Sequence, residues 1–192
     1  ITSGEDRFME WKTKDGNIES KSFADFTTFF EGIFQKERLL DIIKNFICFN
    51  NEGINSFKIL AGYHQYFAVR KAVERTKQAV LGDGKIGVFW HTQGSGKTAL
   101  SAYSNRVIKD FFAKKNVNTR FFFVVDRIDL MMQATTEFAN RGFAVTNVNS
   151  KLEFARELKK PLDDNNEGVG TICIVNVQKL MEESKMPKVE ND

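Results

Sequence analysis

The stretch WHTQGSGKTAL, residues 90–100, carries most of a phosphate-binding loop. The usual pattern is a glycine, four free positions and then Gly-Lys-Ser/Thr. Gly96, Lys97 and Thr98 are in place, but His91 stands where the first glycine belongs. Glycines at 94 and 96 let the backbone curl so that successive N–H groups turn inward. Such a nest at a helix N-terminus binds anionic oxygens. Lys97 is then a point charge for the β- and γ-phosphates, and the Thr98 hydroxyl is a Mg2+ ligand. Thr92, Gln93, Gly94, Ser95 and Gly96 complete the expected nucleotide contacts, with Lys97 and Thr98 as the catalytic candidates. A glycine-rich turn with a surface lysine is the plainer alternative.

The surroundings of the loop decide between these. Before it, Ile86–Trp90 is a short apolar run after the Gly82-Asp83-Gly84 turn, which predicts a strand. After it, 96–112 predicts a helix, with Leu100, Tyr103, Val107 and Phe111 on one side. The run RFFFVV, 120–125, reads as a strand buried on both faces, as in a parallel sheet. A helix over 129–141 follows, with Gly142 at its C-cap, then a strand at 144–148 and a helix at 152–160 stopped by Pro161. A polar loop spans 163–170, a strand 171–177, and a charged tail follows from Met181. Strands alternating with helices predict an α/β fold: a RecA-like P-loop parallel sheet with helices on both faces. Upstream of Asp83 the pattern is mostly helical. Apolar stripes run through 23–34, 39–47 and 63–80, with a turn at Asp15-Gly16-Asn17 and a stop at Asn50-Asn51-Glu52-Gly53.

Composition narrows the class. The chain has 192 residues and is 42% hydrophobic, enough for a core; its 19 phenylalanines are apolar bulk without a polar handle. A net charge of +3 permits nucleic-acid binding without arguing for it. Cys48 and Cys173 lie in apolar contexts without CxxC spacing, which speaks against zinc and for buried thiols in a reducing, cytoplasmic setting. There is no signal-peptide pattern at residue 1 and no apolar run of membrane-spanning length.

Four stretches together resemble the restriction (R) subunit of type I restriction-modification enzymes: AGYHQYFAVRKAVER at 61–75, GVFWHTQGSGKT at 87–98, FFFVVDRIDLMMQ at 121–133 and IVNVQKL at 174–180. The histidine at 91 belongs to that family's version of the loop. The resemblance implies a large subunit with a nuclease domain, two RecA-like motor domains of helicase superfamily two and a helical C-terminal region. Such a subunit translocates double-stranded DNA with ATP and Mg2+ and cleaves it. Its partners are the methyltransferase and specificity subunits. Residues 1–22 would be the connector after a nuclease domain, 23–83 a helical lead-in, and 84–192 most of the first motor domain.

Carried over by motif, Gln65 is the expected adenine reader, since an amide can bond a donor and an acceptor at once. Asp126, Arg127, Asp129 and Gln133 match an element near the DNA groove, with Arg127 as a phosphate contact. Gln178 and Lys179 match a later DNA-contacting motif, in which Asn176 replaces a threonine. Glu10-x-Lys12 mimics half of a nuclease site, but the surrounding DRFMEWKTKDG resembles the connector, so its match is read as coincidence. ATP hydrolysis in these motors needs an acidic Asp-Glu box and an arginine from the second domain. The stretch contains neither and is expected to be a fragment, inactive alone. Two other classes fit the loop: another P-loop NTPase or transferase domain, and a DNA-binding module with a vestigial nucleotide loop.

Overall fold

The computed structural model describes residues 9–52, 54–92, 94–160 and 171–182. The chain falls into two compact units, Ile1–Lys114 and Lys115–Asp192. The polar loop expected at 163–170 and most of the charged tail lie outside the described residues.

The first unit begins with a turn. Gly16 takes the left-handed conformation (φ +83°), its N–H bonds the Thr13 hydroxyl at 2.9 Å, and Asp15 accepts the Asn17 N–H at 2.9 Å. Helix α1 (Phe26–Ile33) is capped by Asp25, whose carboxylate accepts the Thr28 N–H at 3.0 Å and the Thr28 and Ser20 hydroxyls at 2.7 and 2.6 Å. Helix α2 (Lys36–Asn45) follows after a cap by Gln35. It ends earlier than the apolar stripe suggested, because Ile47 already belongs to a strand. Strands β1 (Ile47–Glu52) and β2 (Asn55–Leu60) pair antiparallel in a hairpin. Alternation buries Cys48 and half-buries Ile59 while Phe49 and Lys58, opposite each other, face outward. Helix α3 (Tyr63–Ala79) packs against helix α4 (Lys97–Ala113).

These elements close over an aromatic core. Phe46 is fully buried, 4.7 Å from the Tyr66 ring and 5.7 Å from Tyr103. Trp11 reaches in from the N-terminal segment and packs on Tyr63, Tyr66 and Phe67 at 5.9–6.4 Å. Gly32 makes room for it: a Cβ there would lie 2.5 Å from the indole. Arg106 on α4 donates to the Ile47 carbonyl at 2.7 Å and so ties the hairpin to the helix behind the loop.

One expected strand does not form. Ile86–Trp90 has no ladder partner, and Val88 and Trp90 are 91% and 94% exposed. A strand exists through its neighbour's hydrogen bonds. Among the described residues of this unit, β1 pairs with β2 and Thr13 with Glu19, and none of them pairs with Ile86–Trp90.

The second unit has the alternating pattern. Strands β3 (Phe121–Val125), β4 (Ala144–Val148) and β5 (Thr171–Asn176) form a parallel sheet in the order β3-β5-β4. Helix α5 (Ile128–Asn140) crosses from β3 to β4, leaving space between them for β5, whose residues 172–176 are buried throughout. That explains why TICIVN is continuously apolar apart from its ends. Gly142 ends α5 at φ +82°, as expected. Helices α6 (Lys151–Lys159) and α7 (Val177–Glu182) complete the unit, with Phe154 edge-on to Phe122 at 5.5 Å.

Phe46→Ala should cost about 3–5 kcal/mol, since it removes a fully buried ring that touches α3 and α4 together. Urea unfolding read by the tyrosine near-UV signal measures it. A loss under 1 kcal/mol would mean the aromatic cluster is not the core of this unit.

Candidate functional site

The loop at 91–98 lies in the first unit and leads directly into α4. Gly94 and Gly96 both sit at φ +78°, a region costly for any residue with a Cβ. Gly96 is also the N-cap of α4, its carbonyl accepting the Leu100 N–H at 2.9 Å. Seventeen helical residues therefore start at Lys97, and their unpaired first-turn N–H groups and dipole concentrate positive potential there. The Lys97 ammonium folds back on the loop, donating to the Thr92 carbonyl at 2.7 Å and the His91 carbonyl at 3.0 Å. Two of its three donors are thus used and one is left for an anionic oxygen. Ser95 braces the same turn, its hydroxyl donating to the Thr92 carbonyl at 2.7 Å. Thr98, in the first turn of α4, is half-buried. Gln93 lies outside the described residues.

Gln65 is brought to the loop across 31 residues of sequence. Its amide nitrogen donates to the Gly96 carbonyl at 3.2 Å and the Ser95 carbonyl at 3.4 Å. Its amide oxygen accepts the Gly62 N–H at 3.0 Å, satisfying a donor at the N-terminus of α3. The expected adenine reader is therefore also a staple between α3 and the loop. Gln65 and the described loop residues expected to bind nucleotide thus converge on one place.

Two histidines join them, and the sequence reading gave neither a role. The His64 and His91 rings are 5.7 Å apart. Burial, His64 and Lys97 together hold the His91 pKa below its ordinary value. The signal was present in the sequence: these are the chain's only two histidines, and they lie in the YHQ and WHT stretches.

Such a site fits a nucleoside triphosphate with Mg2+. It has an N–H-rich turn, a cation with a spare donor and a hydroxyl in the helix's first turn. Glu10 and Lys12 do something else. Glu10 accepts the Ala24 N–H at 2.9 Å and pairs with Lys12 at 3.6 Å, fastening the N-terminal segment. That accords with the reading of their spacing as coincidence.

In the second unit, the expected DNA-contacting residues are partly gathered. Val125 and Asn176 are register partners, so the segments after β3 and β5 leave the same carboxyl edge of the sheet side by side. Arg127, the N-cap of α5, is exposed there, as are Asp126, Asp129 and Gln178. Lys179 donates to Asn149, just past the end of β4, at 2.9 Å. Gln133 is set apart, in the second turn of α5, bonded to Glu137 at 3.2 Å. Asn176 is fully buried, its side-chain oxygen accepting the Lys179 N–H at 3.1 Å as a cap for α7.

Comparison with known proteins agrees with the sequence resemblance. The family model described as SWI2/SNF2 ATPase matches residues 64–192. The chain is 32% identical over 191 residues to the type I restriction enzyme HindI endonuclease subunit of Haemophilus influenzae, covering 94% of this chain and 18% of that protein. Two proteins of Methanocaldococcus jannaschii are also similar. The putative type I restriction enzyme MjaIXP endonuclease subunit is 27% identical, over 96% of this chain and 18% of its own length. The MjaVIIIP counterpart is 38% identical, over 70% and 14%. The chain spans less than a fifth of the length of these relatives. Among the described residues no helix is long and apolar enough to cross a membrane.

Gly96→Ala tests the geometry directly. Its Cβ would meet the Gln65 amide nitrogen at 2.6 Å on a backbone already at φ +78°. It should cost about 1–3 kcal/mol and expose the 91–96 amides to faster hydrogen exchange. Unchanged exchange would show that Gln65 does not hold the loop.

Proposed function

Because this chain belongs to the SWI2/SNF2 ATPase family, we propose that it is the ATP-binding part of the DNA-translocating and DNA-cleaving subunit of a type I restriction enzyme. The observation that carries the reading is the convergence of Gln65, Lys97 and a loop with two left-handed glycines on the N-terminus of α4. Residues 1–22 act as connector, 23–83 as a lead-in that carries Gln65, and 84–192 as a portion of the first RecA-like motor domain.

Each residue has a separate task in binding. The loop N–H groups and the helix dipole hold phosphate oxygens, as they do wherever a helix starts at an anion. The spare Lys97 donor adds a charge-assisted hydrogen bond of about 1.5–3 kcal/mol. Thr98 supplies the hydroxyl oxygen for Mg2+, which would neutralise phosphate charge. Gln65 gives the adenine edge a donor and an acceptor once its bonds to the loop carbonyls are exchanged. Because the same amide tethers the loop, base recognition and loop position are linked.

Duplex DNA contact falls to the carboxyl edge of the sheet, through Arg127, Gln178 and Lys179, with Gln133 further along α5. Ligands of open α/β sheets bind at the carboxyl ends of their strands, which supports the assignment. Methyltransferase and specificity subunits are the partners of the parent protein, which works in the cytoplasm. The sequence contains no Asp followed directly by Glu, so these residues bind ATP without turning it over.

Calorimetry with ATP and Mg2+ is expected to give binding at roughly micromolar affinity, weakened at least tenfold by Lys97→Ala, a loss of about 1.4 kcal/mol or more. Absence of binding at millimolar ATP, or equal binding by Lys97→Ala, would refute the site. For DNA, Arg127→Ala and Lys179→Ala should each lower the slope of log affinity against log salt by about one. Slopes identical to wild type would remove those two residues from the DNA surface.

A further inference from the structure

The two histidines form one cluster with the residues expected to hold the two ends of a nucleotide. His64 precedes Gln65, and its ring lies so close over Gly62 that a Cβ there would sit 2.8 Å from Cε1. That same Gly62 donates its N–H to Gln65. Tyr63 stands edge-on to the His64 ring at 5.5 Å. His91 opens the loop, and its carbonyl holds the Lys97 ammonium. The imidazoles, 5.7 Å apart, therefore belong at one end to the adenine-reading helix and at the other to the phosphate loop.

Their charged surroundings are lopsided. His91 is acted on by His64 from α3 and by Lys97 from α4, both cationic or able to become so. The acidic neighbours are one step removed: Tyr63 bonds Glu19 at 2.9 Å and feels Glu10, and both lie on the N-terminal segment. His64 and Lys97 thus both discourage a proton on His91, in addition to its burial. A polyanion entering beside them reverses the sign of that balance.

We infer that His64 and His91 are a further anion-binding pair of the nucleotide site, taking a proton from bulk water as a phosphate oxygen settles beside Lys97. This rests on the reading of the loop as an ATP site. In that site, His91 at the glycine position of the loop supplies a titratable donor that the general pattern lacks. Burial, His64 and Lys97 hold the free His91 below the ordinary histidine range, and the bound nucleotide raises it. Affinity gained this way is present at low pH and is lost as pH rises through the raised value. The window is therefore the region around and below neutrality.

The test uses the chain itself, whose only histidines are these two, so the imidazole C2–H proton signals report them without interference. Wild-type protein is titrated by NMR from pH 5 to 8.5, alone and with saturating ATP. Calorimetry then gives ATP affinity at pH 6 and pH 8 for wild type, His91→Gln and the double variant His64→Gln/His91→Gln. The nucleotide's own terminal phosphate titrates in the same range, so the difference between proteins is what is read. The expected result is an upward move of at least one histidine titration with ATP. Affinity should also gain about three- to tenfold more from pH 8 to 6 in wild type than in the double variant. If both histidine curves are unmoved by bound ATP and all proteins gain equally, the pair is not a phosphate contact, while the loop reading stands. If wild type binds no ATP at any pH, the loop reading and the pair fall together. The NMR arm needs no substitution, so a variant that misfolds does not spare the inference.

Discussion

Gly96 has no Cβ, and the space that one would fill is taken by the Gln65 amide. That close approach makes one site out of parts far apart in sequence. A left-handed glycine turns the chain into α4. Its carbonyl, pointing back, is caught by a side chain from the first turn of α3. Any residue but glycine would both strain the turn and displace the amide. Because Gln65 also accepts the Gly62 N–H, the starts of the two helices are fixed to one another through three hydrogen bonds of a single side chain. Behind them the buried rings of Phe46, Tyr66 and Tyr103 hold α3, α4 and the end of α2 at the separation this contact needs. The polar contact is geometrically selective, whereas the aromatic burial is the larger energy.

What could be read in advance was whatever local chemistry decides. GSGKT encodes its own backbone, and Gly142 encodes the end of α5. RFFFVV and TICIVN announce parallel strands by being apolar without alternation, and both are found; only β5 is buried as expected, whereas β3 lies at the edge of the described sheet, half-buried with Val124 exposed. The hairpin at 47–60 was not anticipated. Its first strand overlaps the helical stripe of α2, so Ile47 counted toward the wrong period, and NNEG looked like a helix stop. The signal that could have found it was Phe57 and Ile59, strand-favouring residues at alternate positions shortly after that turn. The opposite error occurred at Ile86–Trp90. Apolar composition made it strand-like, but composition supplies no ladder partner, and β structure is a property of pairs. The His64–His91 contact was hidden for a related reason. Twenty-seven positions separate the two in sequence, and only the folding of α3 against the loop brings the rings together.

Asn176 shows how a position in a motif can be taken up by a structural task. Threonine is the expected residue there, and a threonine hydroxyl exposed at a strand end is a plausible phosphate contact. Here the side chain is fully buried and its oxygen is committed to the Lys179 N–H. Both residue types can cap a helix, and capping needs only one acceptor near the first turn. The exchange of threonine for asparagine therefore preserves the β5-to-α7 turn. The position itself is fully buried. The same turn leaves Gln178 exposed and lets the Lys179 ammonium reach Asn149, just past the end of β4. A lysine held at a sheet's carboxyl edge loses less rotamer freedom on meeting a phosphate than one waving in solvent. The cap at Asn176 thus fixes the backbone from which Lys179 reaches Asn149.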